Sequence, residues 1–407
     1  MTGDLLVTFN AGSSTIKIGL FEAGAGRARR IARGVIDLRR APPMFRLDEG
    51  PQPFETALAA PAEDVRGLLA ETFGLVGRHV DLGRVRAAGI RVVHGGGTFT
   101  GPVLIDDDVV DKLDELTILA PLHQPQSLRI IRGIRHLRPT LPLCASFDTA
   151  FHQSQADIVR RFALPRALHD EGIRRYGFHG LSYKFIAGEL ARRVPEKAAG
   201  KVVVAHLGSG ASLCALEGGV SRDTSMGFST LDGIPMATRC GALDPGVLLH
   251  LMGQKGMPLA AVEDLLYHRS GLLGVSGISA DSRVLLDSRD VRAEEAIALF
   301  SFRIAGEIGR LAVTLGGLDG VVFTAGIGEN QPRIRAEVCA RLAWLGLALD
   351  MGANAANAPR ISTEDSRIAA FVIPTDEEQV IADETLAVIG GADGQGGGPA
   401  GRDSLQA

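Results

Sequence analysis

The densest run of chemistry-bearing side chains lies near the middle of the chain, at Arg174-Arg175-Tyr176-Gly177-Phe178-His179-Gly180, followed by Leu181-Ser182-Tyr183. Cations, a donor ring and bare backbone converge there, an inventory suited to an anion whose charge moves during reaction. A lone His-Gly pair is an ordinary turn. Its meaning comes from two glycine-serine loops elsewhere, Asn10-Ala11-Gly12-Ser13-Ser14-Thr15 and His206-Leu207-Gly208-Ser209-Gly210-Ala211-Ser212, and from Arg91 and Arg239 in distant parts of the chain. Small-residue turns bring backbone N–H groups and hydroxyls to whatever occupies their mouth, and phosphate uses that best. These residues point to chemistry on a phosphoryl group, with His179 at its centre.

Elements that would position them follow from the apolar pattern. Residues 5–9 are an apolar run, and alternation returns at 16–20, so two strands flank the first loop. A strand is expected at 31–36, then a Pro-rich stretch (Pro42, Pro43, Pro51, Pro53) and a helix over 54–73. Another strand at 86–93 carries Arg91 and Val93 and closes on His94-Gly95-Gly96-Gly97; a charge inside a strand needs a mouth or a partner. Helical periodicity fits 108–119 and 126–138, separated by the proline-bracketed loop Ala120-Pro121-Leu122-His123-Gln124-Pro125. A strand at 141–147 runs into Asp148, placed where α/β folds put functional carboxylates.

The second half opens with a helix at 182–193. A strand at 201–205 enters the second glycine-serine loop, and alternation resumes at 213–216. Strand, polar residue, small-residue turn and strand thus recur about half a chain apart, which suggests a duplicated domain. Two facing domains, each with a phosphate-gripping hairpin, would make a nucleotide cleft. A loop at 232–246 carries Pro235, Arg239 and Asp244, and helices fit 246–253, 258–267 and 292–316. A buried-type strand at 320–324 reaches the glycine-rich turn Ala325-Gly326-Ile327-Gly328-Glu329-Asn330, after which Gln331-Pro332 opens a helix, a good setting for a nucleotide. A last strand at 367–373 leads through Glu377 to a helix ending near 389. The Gly-rich tail is expected to be disordered.

Composition narrows the class. The 407 residues are 45% hydrophobic and 22% charged, enough for two domains with real cores. A net charge of −4 argues against a nucleic-acid binder, so any anion must be held by locally placed arginines or backbone amides. Four scattered cysteines form no CxxC pair, against structural zinc or a disulfide framework. No basic leader and no apolar run of membrane-spanning length is present, so a cytoplasmic protein without membrane partners is expected. No GxxxxGK[ST] occurs. The Gly326-Ile327-Gly328 turn lacks the third glycine of a dinucleotide fingerprint, no GxSxG elbow exists, and no HExxH spacing is found. A nucleotide held without these, between duplicated halves, points to the architecture of actin, hexokinase and the Hsp70 ATPase domain.

Six separated segments carry a closer resemblance: the Asn10–Lys17 loop, RVVHGG at 91–96, APLH at 120–123, FDTAFH at 147–152, RRYGFHG at 174–180 and FTAGIGEN at 323–330. From about residue 4 to 389 the chain resembles the acetate kinase family. That resemblance implies an α/β fold of two duplicated ribonuclease H-like (actin-like ATPase) domains with the active site in the cleft between them. The first domain would span 1–149 and the second 150–377, a C-terminal helix at 378–390 would pack back on the first, and 391–407 would form the tail. It implies ATP, Mg²⁺ (or Mn²⁺) and a short-chain carboxylate, with direct in-line transfer to acetyl phosphate, and a homodimer.

Roles implied by the resemblance attach to particular positions. Arg91 and Arg239 would hold the carboxylate and offset phosphoryl charge, while His179 would donate to the transition state with His123 assisting. Asp148, Glu377 and Asn10 would anchor Mg²⁺ largely through water. Lys17, His206, Leu207, Gly208, Ser209, Gly210, Asp281, Ser282, Arg283, Ala325, Gly326, Ile327, Gly328, Glu329 and Asn330 would lie along the nucleotide. Val93, Leu122, Phe178 and Pro235 would wall the acyl methyl group. The chain departs from the family at Ser209 (usually asparagine), Leu181 and Tyr183 (threonine and a second histidine), Ala242 (an acid) and Gln124 (asparagine). Acyl preference is therefore open to a propionate or butyrate kinase, and a non-catalytic actin- or Hsp70-like ATP-binding module is the alternative from another class.

Overall fold

The computed structural model describes residues 3–12, 14–50 and 53–395. Ser13 of the first loop, Pro51 of the Pro-rich stretch and the tail from 396 lie outside the described residues. The chain divides into two compact units, residues 1–147 with 377–407, and residues 148–376.

The first unit is built on an eight-stranded sheet. In chain order its strands are β1 Leu5–Ala11, β2 Thr15–Glu22, β3 Arg29–Asp37, β4 Met44–Asp48, β5 Phe54–Ala57, β6 Val85–Val92, β7 Val103–Leu104 and β8 Leu143–Phe147. In space they run β5-β4-β3-β2-β1-β6-β8-β7. β1, β2 and β3 meander antiparallel, and β6 and β8 join parallel to β1. The second unit carries β9 Lys201–Leu207, β10 Ala211–Glu217, β11 Val220–Thr224, β12 Gly320–Thr324 and β13 Ala369–Val372, ordered β11-β10-β9-β12-β13. There too a three-strand antiparallel meander meets two parallel strands. The order β3-β2-β1-β6-β8 is thus repeated, strand for strand, in the second sheet. This is the duplicated actin-like ATPase architecture, and the first unit adds β4, β5 and β7 at its edges.

Central strands are buried on both faces, β12 along its whole length and β1 over its first six residues, as parallel or mixed sheets covered by helices must be. The long helix Val291–Leu315 supplies one cover for the second sheet. Asp290 caps its start by accepting from Arg292 N at 2.9 Å, and Gly316 ends it in the left-handed region at φ 65°. Its buried stripe of Ala293, Ala296, Ile297, Phe300, Ile304, Ile308 and Leu311 has helical spacing.

Three expectations are corrected, and β11 is a strand that the sequence reading did not include. Residues 54–57 are the strand β5, and the helix begins only at Val65, because Pro61 interrupts the backbone and Asp64 caps the helix by accepting from Gly67 N at 2.9 Å. The Pro-rich stretch contains β4, whose buried Phe45 and Leu47 alternate with outward residues. β11 follows a Gly218-Gly219 turn with both φ positive, the hairpin geometry that Gly-Gly favours. The final helix, Glu377–Gln395, continues through Gly390-Gly391 rather than ending near 389.

That final helix packs on β1, β2, β6 and β8 of the first unit. Its approach depends on Gly89, in β6. A first side-chain carbon at 89 would lie 2.3 Å from Thr385 Oγ1 and 2.6 Å from Ile381 Cγ2, and Thr385 Oγ1 is itself tied to the Ile381 carbonyl at 2.7 Å. Gly89→Ala should therefore lower stability by about 1–3 kcal/mol through overpacking. Urea unfolding of the variant would check this, and a wild-type midpoint would show the helix is not docked so closely.

Candidate active site

In the first unit the candidate residues gather around one neutral amide. Asn10, at the end of β1, is 3% exposed, and its Nδ2 donates to Glu377 Oε2 at 2.8 Å and Glu378 Oε1 at 2.9 Å. Its Oδ1 accepts from an Arg91 guanidinium nitrogen at 3.0 Å. The donor end thus faces two buried carboxylates and the acceptor end faces a cation, the only orientation that satisfies all three. Arg91 also lies 3.7 Å from Glu377, which answers how a charge is tolerated in β6. Lys17, opposite Asn10 in the hairpin register, is half exposed and 3.9 Å from Glu378. Glu377 and Glu378 open their helix, where the positive end of the helix dipole favours carboxylates.

The loop after β6 is tied down by His94 and Gln124. Gly96 N donates to His94 Nδ1 at 2.9 Å, and Gln124 Nε2 donates to the His94 carbonyl at 3.2 Å. Gln124 is fully buried and opens the helix Gln124–Leu137, with His123 at its N-cap position and Leu122, 37% exposed, just before. Val93 is buried beside His94.

In the second unit, close backbone packing sets the histidine. A first side-chain carbon at Gly180 would sit 2.0 Å from the Asp148 carbonyl oxygen and 2.8 Å from Phe151 Cβ, so only glycine allows this contact. His179, immediately before it, takes the left-handed conformation at φ 56°, ψ 24°, uncommon for a non-glycine residue and found where surroundings enforce it. Part of that enforcement comes from buried His152, whose Nε2 donates to the Phe178 carbonyl at 3.0 Å while Nδ1 meets Ser221 Oγ at 2.9 Å. Phe178 and Pro235 are buried, and Asp148 is 1% exposed.

The His179 ring stacks on His206, at the end of β9, with centroids 4.3 Å apart and planes 15° apart. Ser212 Oγ meets His179 Nδ1 at 2.7 Å, and Ser182 Oγ meets His206 Nδ1 at 2.8 Å. The other nitrogens point to the glycine turn. A first side-chain carbon at Gly210 would lie 3.5 Å from His179 Nε2 and 3.8 Å from both terminal nitrogens of Arg239; one at Gly208 would lie 3.7 Å from His206 Nε2 and from Ala325 Cβ. The Arg239 loop is bonded to that turn by Ala237 N donating to the Ser209 carbonyl at 3.2 Å, and Arg239 itself donates to the Thr230 carbonyl at 3.1 Å.

Residues 325–330, expected as a turn, are a short helix that starts with Ala325 at φ 63°. The fully buried Arg335 pins its far end, donating to the Gly328 and Glu329 carbonyls at 2.8 and 3.0 Å and to Asn354 Oδ1 at 2.8 Å. Burial lowers this guanidinium's pKa from its ordinary value. Glu329 accepts from Thr375 N at 3.2 Å, and Asn330 Nδ2 donates back to the Gly326 carbonyl at 3.0 Å. Leu207 is buried in β9 and Ile327 half-buried. Asp281, Ser282 and Arg283 form a local helix start of their own. Asp281 accepts from Arg283 Nε at 3.0 Å, which holds its carboxyl below the usual range.

The sequence reading left out Glu378, Ser212, Ser182, His152 and Arg335 as site residues. His152, Ser182 and Ser212 lay within or beside the segments named above and Glu378 beside Glu377, but nothing in the spacing marked Arg335.

A duplicated actin-like sheet with a glycine turn bordered by histidine and arginine is suited to holding and transferring a phosphoryl group. The model of the Acetokinase family matches residues 5–383. An acetate kinase from Rhodopseudomonas palustris is 48% identical over 388 residues, covering 93% of this chain and 97% of that one. Among solved structures, a propionate kinase from Francisella tularensis superposes with a TM-score of 0.88 at 32% identity, over 95% of this chain and 100% of that one. The acetate kinase of Porphyromonas gingivalis gives 0.85 at 33%, with the same coverage. The chain belongs to the acetokinase family.

His94 and His152 yield a stability prediction. Burial pushes each imidazole down to about 4 from 6.5. The native state therefore resists protonation that the unfolded chain accepts below about pH 6.5, and stability should fall as pH drops from 7 to 5, by about 1–2 kcal/mol per histidine. Urea midpoints at the two pH values would show this. A flat profile would mean that these rings take up protons in the fold.

Proposed function

We propose that the chain transfers the γ-phosphoryl group of ATP to acetate, giving ADP and acetyl phosphate by a reversible, direct in-line displacement. The observation that carries this reading is the convergence of His179 Nε2 and the Arg239 guanidinium on the side-chain-free face of Gly210. A carboxylate with a pKa of roughly 4–5 is already ionised at pH 7, so it needs no general base. The difficulty is bringing two anions together, which calls for positioning and cationic stabilisation. Arg91, held by Asn10 and Glu377, offers a fixed guanidinium for the carboxylate. Arg239 and His179 stabilise charge on the transferred group, with His123 assisting. The Gly208–Gly210 and Ala325–Asn330 backbones, with Lys17, line the phosphates and nucleotide, and Asp281, Ser282 and Arg283 take its far end. Val93, Leu122, Phe178 and Pro235 wall the methyl group.

Among the described residues no three acids, histidines or cysteines gather as a metal-holding group. Mg²⁺ asks for less, because it keeps most of its water and uses one or two carboxylates with substrate phosphates. The buried oxygens of Glu377 and Glu378 beside Asn10 fit that demand. Glu377 would hold the ion, largely through water, and the resemblance gives Asn10 and Asp148 the same task. Bound Mg²⁺ would screen the phosphate charge. We also infer a homodimer, as the family resemblance suggests, and a cytoplasmic location, as the scattered cysteines suggest. Among the described residues no helix is long and apolar enough to cross a membrane.

Hydroxylamine trapping with ATP and Mg²⁺ across formate, acetate, propionate and butyrate tests the reading. Acetate should give acyl hydroxamate, and Arg91→Ala should lower kcat/KM for acetate by about 100-fold or more. Failure with every acid while ATP still binds would move the chain to a binding role.

A further inference from the structure

Two hydroxyl relays hold the stacked histidines, and they start from consecutive residues of the helix Gly180–Arg193. Ser182 Oγ bridges His206 Nδ1 at 2.8 Å and Thr375 Oγ1 at 2.9 Å. Tyr183 reaches the other ring: its hydroxyl meets Ser212 Oγ at 2.5 Å, and that oxygen meets His179 Nδ1 at 2.7 Å. Tyr183 and Ser212 are both 0% exposed. The tyrosine ring packs with Ile186, Leu190, Val204 and Cys214 and stands edge-on to His152. A phenol buried in such company is stable only with its hydroxyl bonded. Where the family usually has histidine, this chain has placed a longer side chain whose tip ends on the serine behind His179.

We propose that Tyr183 is a positioning residue for phosphoryl transfer, a proposal that rests on the function given above. Tyr183 O–H donates to Ser212, and Ser212 O–H donates to His179 Nδ1. The neutral ring's proton is thereby kept on Nε2, the nitrogen that shares the Gly210 face with Arg239. An imidazole carries one N–H when neutral, so the partner at Nδ1 decides what Nε2 presents. With the relay in place Nε2 offers a donor to a phosphoryl oxygen; with the proton on Nδ1 it would offer a lone pair and repel that oxygen. The benefit arises as charge develops on the transferred group, so it belongs to kcat rather than to substrate binding.

Tyr183→Phe keeps the ring and removes the hydroxyl, and Ser212→Ala removes the middle of the relay. The wild-type rate of acetyl phosphate formation answers for the function itself, and the variants answer for the relay. Tyr183→Phe should lower kcat about tenfold with KM for acetate and ATP nearly unchanged. The double variant should be no slower than Ser212→Ala, because both changes cut one chain of bonds. Nitrogen-15 spectra of histidine-labelled wild-type protein should show His179 protonated at Nε2. An unchanged kcat in Tyr183→Phe, losses that multiply in the double variant, or a proton on Nδ1 in the wild type would each overturn the proposal. The last reading needs no variant to fold.

Discussion

The second unit turns on a side chain that is absent. At Gly210 nothing projects from the backbone, and the space a first carbon would take is bordered by His179 Nε2 and by both terminal nitrogens of Arg239. A chain of net charge −4 has no general attraction for anions, so donors must be brought to one place by the fold. The surrounding structure does so at measurable local cost. His179 is held in the left-handed region, Gly180 presses on the Asp148 carbonyl, and buried His152 is spent on the Phe178 carbonyl. A stacked partner and two serine hydroxyls then fix the rings.

The first unit solves a related problem with a neutral group. Glu377 and Glu378 are neighbours in sequence and both buried, and Arg91 is nearly so. Desolvated charges of this kind are costly unless each oxygen and N–H has a partner. Asn10 meets the need because one amide carries donors and an acceptor, which it divides between the carboxylates and the guanidinium. An aspartate there would have the wrong sign toward the glutamates, and a lysine the wrong sign toward Arg91.

Much of this was legible in the sequence where local pattern and global fold agree. The glycine-serine loops, the strands entering them and the half-chain repeat all reflect short-range preferences that the two sheets preserve. Where the reading failed, tertiary contacts overrode the pattern. Phe54–Ala57 sits in an apolar stretch compatible with a helix, yet it pairs with β4 at a sheet edge. Ala325–Asn330 looks like a glycine turn, but Arg335, five residues beyond it, ties the Gly328 and Glu329 carbonyls and holds a short helix. Arg335, Ser212 and Tyr183 act through partners distant in sequence or hidden in the core, and residue type alone does not mark such tasks. The departure at Gln124 is explained once the fold is known, since its amide reaches the His94 carbonyl.

Gly210→Ala puts the central claim to its most direct test. Gly210 is not among the glycines of positive φ, and the added methyl would make only ordinary contacts at 3.5 and 3.8 Å, so the variant should fold with the wild-type melting temperature. If the face of Gly210 is where the transferred phosphoryl group is stabilised, kcat for acetyl phosphate formation should fall about 100-fold or more. A folded Gly210→Ala enzyme with wild-type kcat would contradict the account, because the methyl would then occupy space that the reaction does not use.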